Sequence, residues 1–168
     1  MECYEEFPIS TVVYNGITLG GALAVGVVLM AQFGVPAMSA YVLLLLVAGT
    51  GLLALICSGC GYYGHRCPLG LGRAAAWLFK KGQEDQFFRT VPQFVVGLVL
   101  VIAVAWPIVI GGVLLVRDFT VGRLFLLAAM AGLLLVGLTR HPKHVCSHCM
   151  QGKCGACPIG RSVWEIGE

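Results

Sequence analysis

Four long apolar runs divide the chain, and the polar intervals between them are very unequal. The runs cover 11–33 (TVVYNGITLGGALAVGVVLMAQF), 38–56 (MSAYVLLLLVAGTGLLALI), 93–116 (QFVVGLVLVIAVAWPIVIGGVLLV) and 119–139 (FTVGRLFLLAAMAGLLLVGLT). Each is close to the ~20 residues a helix needs to cross a bilayer core. The pattern predicts an all-α integral membrane protein with four transmembrane helices. Runs one and two are joined only by GVPA(M), and runs three and four only by RD. Links that short force each pair into an antiparallel hairpin. The expected organisation is therefore an N-terminal segment (1–10), a first hairpin (11–56), a Cys-rich loop (57–92), a second hairpin (93–139) and a Cys-rich tail (140–168). The N-terminus, the long loop and the tail then emerge on one side.

Composition strengthens this reading. The chain is 58% hydrophobic and only 11% charged, with a mean hydropathy of +0.89, against about 25% charged residues in soluble domains. The first run does not read as a cleaved signal peptide. Glu2, Glu5 and Glu6 precede it where a basic segment would be needed, and a second span follows at once. Lys and Arg then orient the protein. Nine lie on the loop-and-tail side (Arg66, Arg73, Lys80, Lys81, Arg89, Arg140, Lys143, Lys153, Arg161) and two, Arg117 and Arg123, on the side of the short turns. The bias places both termini and the loop in the cytoplasm, with the chain in the cell membrane. The net charge of +3 follows from this bias and carries no nucleic-acid footprint.

The runs contain no His, Asp, Glu or Lys. Ion pathways and proton relays need such groups at membrane depth, and a haem held in the bundle needs an axial ligand. The spans therefore read as an anchor. Small residues recur at four-residue spacing in the first run (Gly16–Gly20, Gly20–Ala24, Ala22–Gly26). They suit close packing within the bundle, or a homo-oligomer or partner helix docked on the outside. Pro107 is expected to kink the third helix. In the long loop, LGRAAAWLFKKG predicts a short interfacial helix with Arg73, Trp77, Lys80 and Lys81 on one face and Leu71, Ala75, Leu78 and Phe79 on the other. Phe87 and Phe88 are expected to anchor the return to the bilayer.

All eight cysteines, at 3, 57, 60, 67, 146, 149, 154 and 157, fall on the same side of this topology. In a reducing compartment such spacing points to metal or redox chemistry rather than to structural disulfides. Two groups align: CSGC-x6-CPLG-LGR over 57–73 and CSHC-x7-CPIGR over 146–161. Each follows a hairpin, so the chain reads as a tandem repeat of hairpin and Cys motif. A Cys-x-x-Cys turn aims two thiolates at one ion, with backbone N–H groups available to the sulfurs. Cys146, Cys149, Cys154 and Cys157 supply four ligands. Cys57, Cys60 and Cys67 supply three, and the fourth falls to Cys3 or His65, unless ligands are exchanged between the groups. One or two [4Fe–4S] clusters, or zinc, suit such thiolate sets. His141, His144 and His148 are further donor candidates that read better as interfacial polar residues around the site. A dithiol enzyme using Cys154 and Cys157 ranks last, because no thioredoxin-like context surrounds them.

Cys60-Gly61 and Cys67-Pro68-Leu69-Gly70, with Cys157-Pro158-Ile159-Gly160 more distantly, resemble the Cys-Gly…Cys-Pro-Leu-Gly segments at the membrane edge of polytopic polyferredoxins, such as the quinol-dehydrogenase-like subunits of anaerobic respiration. The resemblance implies cytoplasmic [4Fe–4S] clusters that pass electrons between a soluble partner and a membrane quinone pool. The chain departs from that pattern in a longer gap between the two cysteines. It also lacks a regular C-x2-C-x2-C-x3-C-P run. It is similar, too, to small four-span, Cys-rich membrane proteins. The expected function is an electron-transfer or accessory subunit of a larger membrane redox complex, not an enzyme by itself. The rival is a membrane protein whose zinc staples the loops into a docking surface.

Overall fold

The computed structural model describes residues 3–83 and 90–150. Among them the fold is entirely helical, and four helices are long and apolar enough to cross a membrane. Helix α1 is Ile9–Ala31, with a π turn at Gly16–Gly20. Helix α2 is Val35–Gly59, passing through a π turn at Leu52–Ile56 and a 3₁₀ turn at Cys57–Gly59. The short α3 is Leu71–Leu78, α4 is Val91–Arg117 and α5 is Val121–His144. The chain is a four-span, multi-pass membrane protein.

The helices form a four-cornered bundle. Helix α1 packs against α2, α4 and α5, and α4 packs against α1, α2 and α5, while α2 and α5 flank this central pair. Exchanging the hairpins (α1 with α4, α2 with α5) leaves this set of contacts unchanged. That is the packing expected of a duplicated hairpin. Much of the outer face is large and apolar, for example Val13, Leu43, Leu46, Val101 and Phe125, as lipid-facing surface requires.

Inside the bundle the residues are small or specifically fitted, because lipid tails provide no hydrophobic force between helices and close contact must do so. Ala22, Leu29 and Met130 form a buried seam between α1 and α5. At the crossing of α1, α2 and α4, Gly26 leaves no room for a side chain: a β-carbon there would stand 2.8 Å from the Tyr41 hydroxyl and 3.1 Å from Pro107 Cγ. Gly16 and Gly20, by contrast, have nothing within 4 Å of that position and face outward.

The role of Tyr41 follows from Pro107. A helical N–H bonds the carbonyl four residues back, so Pro107, lacking one, orphans the Ala103 carbonyl. Helix α4 nonetheless runs unbroken through this point, and the Tyr41 hydroxyl donates to Ala103 O at 2.8 Å. Tyr41→Phe is therefore expected to lower stability by about 1–2 kcal/mol. In a Pro107→Ala background, where residue 107 regains its N–H, the same change should cost close to nothing. A double-mutant cycle of unfolding in detergent measures this, and equal costs in both backgrounds would reject the coupling.

At the turn end, Arg123 donates to Gln32 Oε1 (2.8 Å) and pairs with Asp118 (2.8 Å), tying the two short links together. At the opposite end the N-terminal segment, the long loop and the second Cys turn meet, as the topology requires. Two details of the loop differ from expectation. Helix α3 stops at Leu78, so Lys80 and Lys81 lie beyond it rather than on its face. The chain is drawn back instead: the Tyr63 hydroxyl donates to Phe79 O (2.7 Å) and Gly82 N–H to Ser58 O (3.0 Å). Helix α5 also continues to His144, past the expected boundary at 139. Trp77, 85% exposed, projects from α3 as an interfacial residue should. Phe87, Phe88 and Arg89 lie outside the described residues.

Candidate metal centre

Each copy of the Cys motif begins with the same turn. Cys57–Gly59 and Cys146–His148 are both 3₁₀ turns, entered from Ile56 (φ −103°, ψ −56°) and from Val145 (φ −111°, ψ −59°). In both, the N–H of the second cysteine donates to the carbonyl of the first, Cys60 to Cys57 and Cys149 to Cys146, each at 3.3 Å. The serines between, Ser58 and Ser147, are both buried. The alignment made on sequence thus corresponds to matching backbone.

After the first turn the chain closes on itself. Gly70 N–H donates to Cys67 O (2.9 Å), and Gly70 holds a φ of +73° that glycine adopts without strain. This Cys-Pro-Leu-Gly turn aims the chain into α3 and keeps Cys67 near its partners. Cys57 lies within electrostatic reach of both Cys67 and Cys60.

Tyr62 joins the copies. It is 1% exposed and packs with Phe7 and Val145, and Cys60, Cys67, Cys149 and Met150 surround this apolar cluster. Its hydroxyl donates to Tyr4 O (2.9 Å) and accepts from the Met150 N–H (3.1 Å). Cys3, Cys60 and Cys149 all lie within electrostatic reach of it. Burial, the largest influence, raises the phenol above its ordinary range, so it stays a neutral donor. The N-terminal segment completes the junction. Tyr4 N–H donates to His148 O (3.0 Å), and the Tyr4 ring stacks on the His148 ring at 4.5 Å between centroids.

A charged clamp holds the same segment to the first motif. Glu6 accepts from Arg66 Nε (2.8 Å) and from Arg73 (3.2 Å). The Arg66 hydrogen bond, foremost, lowers the Glu6 carboxyl below its usual range. Because that pKa is depressed in the fold, the clamp's contribution is present above the ordinary carboxylate pKa and is lost as pH falls through the lowered one.

The two residues expected as a fourth ligand, His65 and Cys3, stand in different surroundings. His65 turns its Nδ1 toward Glu6 at 3.5 Å, with its side chain 60% exposed. Cys3 stands on the thiol side, beside Tyr62. His141 is held by Asn15 Oδ1 (3.4 Å) and His148 by the Ser147 hydroxyl (2.8 Å). Among the described residues, no three His, Cys, Asp or Glu side chains stand ready-made around one ion. Cys154 and Cys157 lie outside the described residues.

Several polar residues that position this end lay inside the apolar runs or the loop and were not singled out on sequence. Asn15, buried in α1, donates to Thr11 O and to Pro68 O, both at 3.0 Å, fastening the Cys-Pro turn to the bundle. Gln93 donates to Leu55 O (2.7 Å) in the π turn just ahead of Cys57. An uncharged amide inside an apolar run was the available signal for Asn15. Compared with protein-family models, curated proteins and solved structures, the chain matches none.

Proposed function

We propose that the chain is a membrane-anchored metal protein with thiolate ligands, serving as an electron-transfer or accessory subunit of a larger membrane redox complex. The observation that carries this reading is the meeting of both Cys turns and Cys3 around Tyr62 at one end of an otherwise passive bundle. The chemistry of the donor set fits iron–sulfur clusters or zinc, since paired Cys-x-x-Cys turns suit either. Cys57, Cys60 and Cys67, with Cys3, would hold one group. Cys146, Cys149, Cys154 and Cys157 would hold a second. A cluster so placed supplies a one-electron relay at the membrane surface.

The chain's own residues do the rest. Tyr62 and the Glu6 clamp fix the segments that present the thiols, and the Phe7–Tyr62–Val145 cluster keeps water from their inner side. The excess of Lys and Arg at this end favours the cytoplasmic face of the cell membrane, where thiols stay reduced. A partner subunit is inferred from the apolar runs, which hold no His, Asp, Glu or Lys for transport. The outward-facing Gly16 and Gly20 suit a partner helix or a second copy.

Protein purified without oxygen should be brown, with iron and acid-labile sulfide in stoichiometric amounts and a paramagnetic signal on reduction. Cys60→Ser and Cys149→Ser should each lower the metal content. Colourless protein with stoichiometric zinc would replace the electron-transfer reading with a zinc-stapled docking protein. Full metal content in both variants would reject a thiolate centre at these turns.

A further inference from the structure

Between α1 and α5, at the end that carries the Cys turns, two hollows meet at His141. The outer one, about 290 Å³, is lined by Ser10, Thr11, Tyr14, Arg140 and His144. Its lining brings the Ser10, Thr11 and Tyr14 hydroxyls and the Arg140 charge to one place. Among the described residues Arg140 makes no ion pair, since the carboxylates that do are Glu6 and Asp118, bound to other partners. The inner one, about 300 Å³, is a greasy groove lined by Leu19, Leu69, Leu133, Leu134 and Leu138. Leu19 and Leu138 are exposed on the lipid-facing surface, so the groove opens sideways into the bilayer. Arg140 follows directly on the apolar run that ends at Thr139, which sets the outer hollow at the membrane boundary.

A cation with no counter-charge among the described residues, hydroxyls beside it and an apolar channel leading away from it match one kind of molecule on three counts. We propose that this composite hollow binds one anionic glycerophospholipid. Its phosphate sits on Arg140, with the Ser10 and Thr11 hydroxyls and His144 as further donors, and an acyl chain lies along the leucines between α1 and α5. A free phosphate would use only the outer hollow, and a neutral prenyl lipid only the inner one. The site does not depend on the metal reading. It makes the helix pair that presents the second Cys turn sensitive to the lipid around it.

The test is native mass spectrometry of the delipidated full-length protein, titrated with phosphatidylglycerol or with phosphatidylcholine of the same chains. One phosphatidylglycerol should bind, clearly tighter than phosphatidylcholine. Arg140→Gln should weaken it about fivefold, the effect of one basic residue at an anionic headgroup, and leave phosphatidylcholine unchanged. Leu138→Trp, which fills the groove, should weaken both. Both positions are exposed, so unchanged thermal unfolding is expected and confirms that the variants are folded. Equal affinity for the two lipids, or no effect of Arg140→Gln, would overturn the proposal. So would displacement of the lipid by inorganic phosphate alone, or preferential binding of a neutral prenyl lipid.

Discussion

Gly26→Val should destabilise the bundle by about 3 kcal/mol or more, the sum of an overpacked contact and a lost interhelical hydrogen bond. Gly26 lies where α1, α2 and α4 cross, and a β-carbon there would press on the Tyr41 hydroxyl and the Pro107 ring. Neither neighbour can yield cheaply. Tyr41 is held by its bond to Ala103 O, and moving it exposes the carbonyl that Pro107 cannot serve. The larger side chain therefore strains the crossing and undoes the Tyr41–Ala103 bond at once. Gly20→Val provides the control, since that position has nothing within 4 Å and should be close to neutral. Unfolding in detergent, followed by helical signal, compares the two. Equal stability of the two variants would mean that the crossing is looser than the contacts show.

Tyr62→Phe is the change expected to matter most at the thiol face, where the proposed metal would sit. The ring would stay in its apolar cluster, but Tyr4 O would lose its donor and the Met150 N–H its acceptor. Leaving two backbone groups unpaired beside a buried ring costs about 2–4 kcal/mol of local stability. The four-helix bundle, whose seams lie elsewhere, should keep its overall unfolding transition. Hydrogen exchange should quicken at residues 4–7 and 148–150, and metal content after reconstitution should fall because Cys3 and Cys149 are no longer held toward Cys60. Unchanged exchange and unchanged metal would show that the copies are joined by something other than this phenol.

The lengths of the apolar runs and the brevity of two of the links were enough to read four spans, two hairpins and a shared end for the cysteines. Those features rest on the thickness of a bilayer and the reach of a short chain, and both are fixed before any packing is known. The kinship of CSGC and CSHC was equally readable, since like sequences at the ends of like hairpins adopt like turns. What escaped the sequence was the set of side chains that serve backbone carbonyls: Asn15 on Pro68, Gln93 on Leu55, Tyr41 on Ala103 and Tyr62 on Tyr4. The carbonyls these four serve are released by a proline, a π turn or a loop, and each donor comes from a distant segment. The early end of α3 has the same origin. Its helical pattern continues through Lys81, but the bonds from Tyr63 and Gly82 pull the chain away. Nothing in the sequence set His65 beside Glu6, since that contact depends on how the N-terminal segment folds back on the loop.

The bond from Tyr4 to His148 has a consequence for how the protein is made. Tyr4 is translated before the four membrane helices of the described residues, and His148 after them. Throughout that interval the first Cys turn exists without its counterpart and without the aromatic lid that Tyr4 and His148 form together. The junction of the two Cys turns is thus assembled only after these four helices have been made. A chain cut short between α5 and His148 would carry all four helices yet lack this junction.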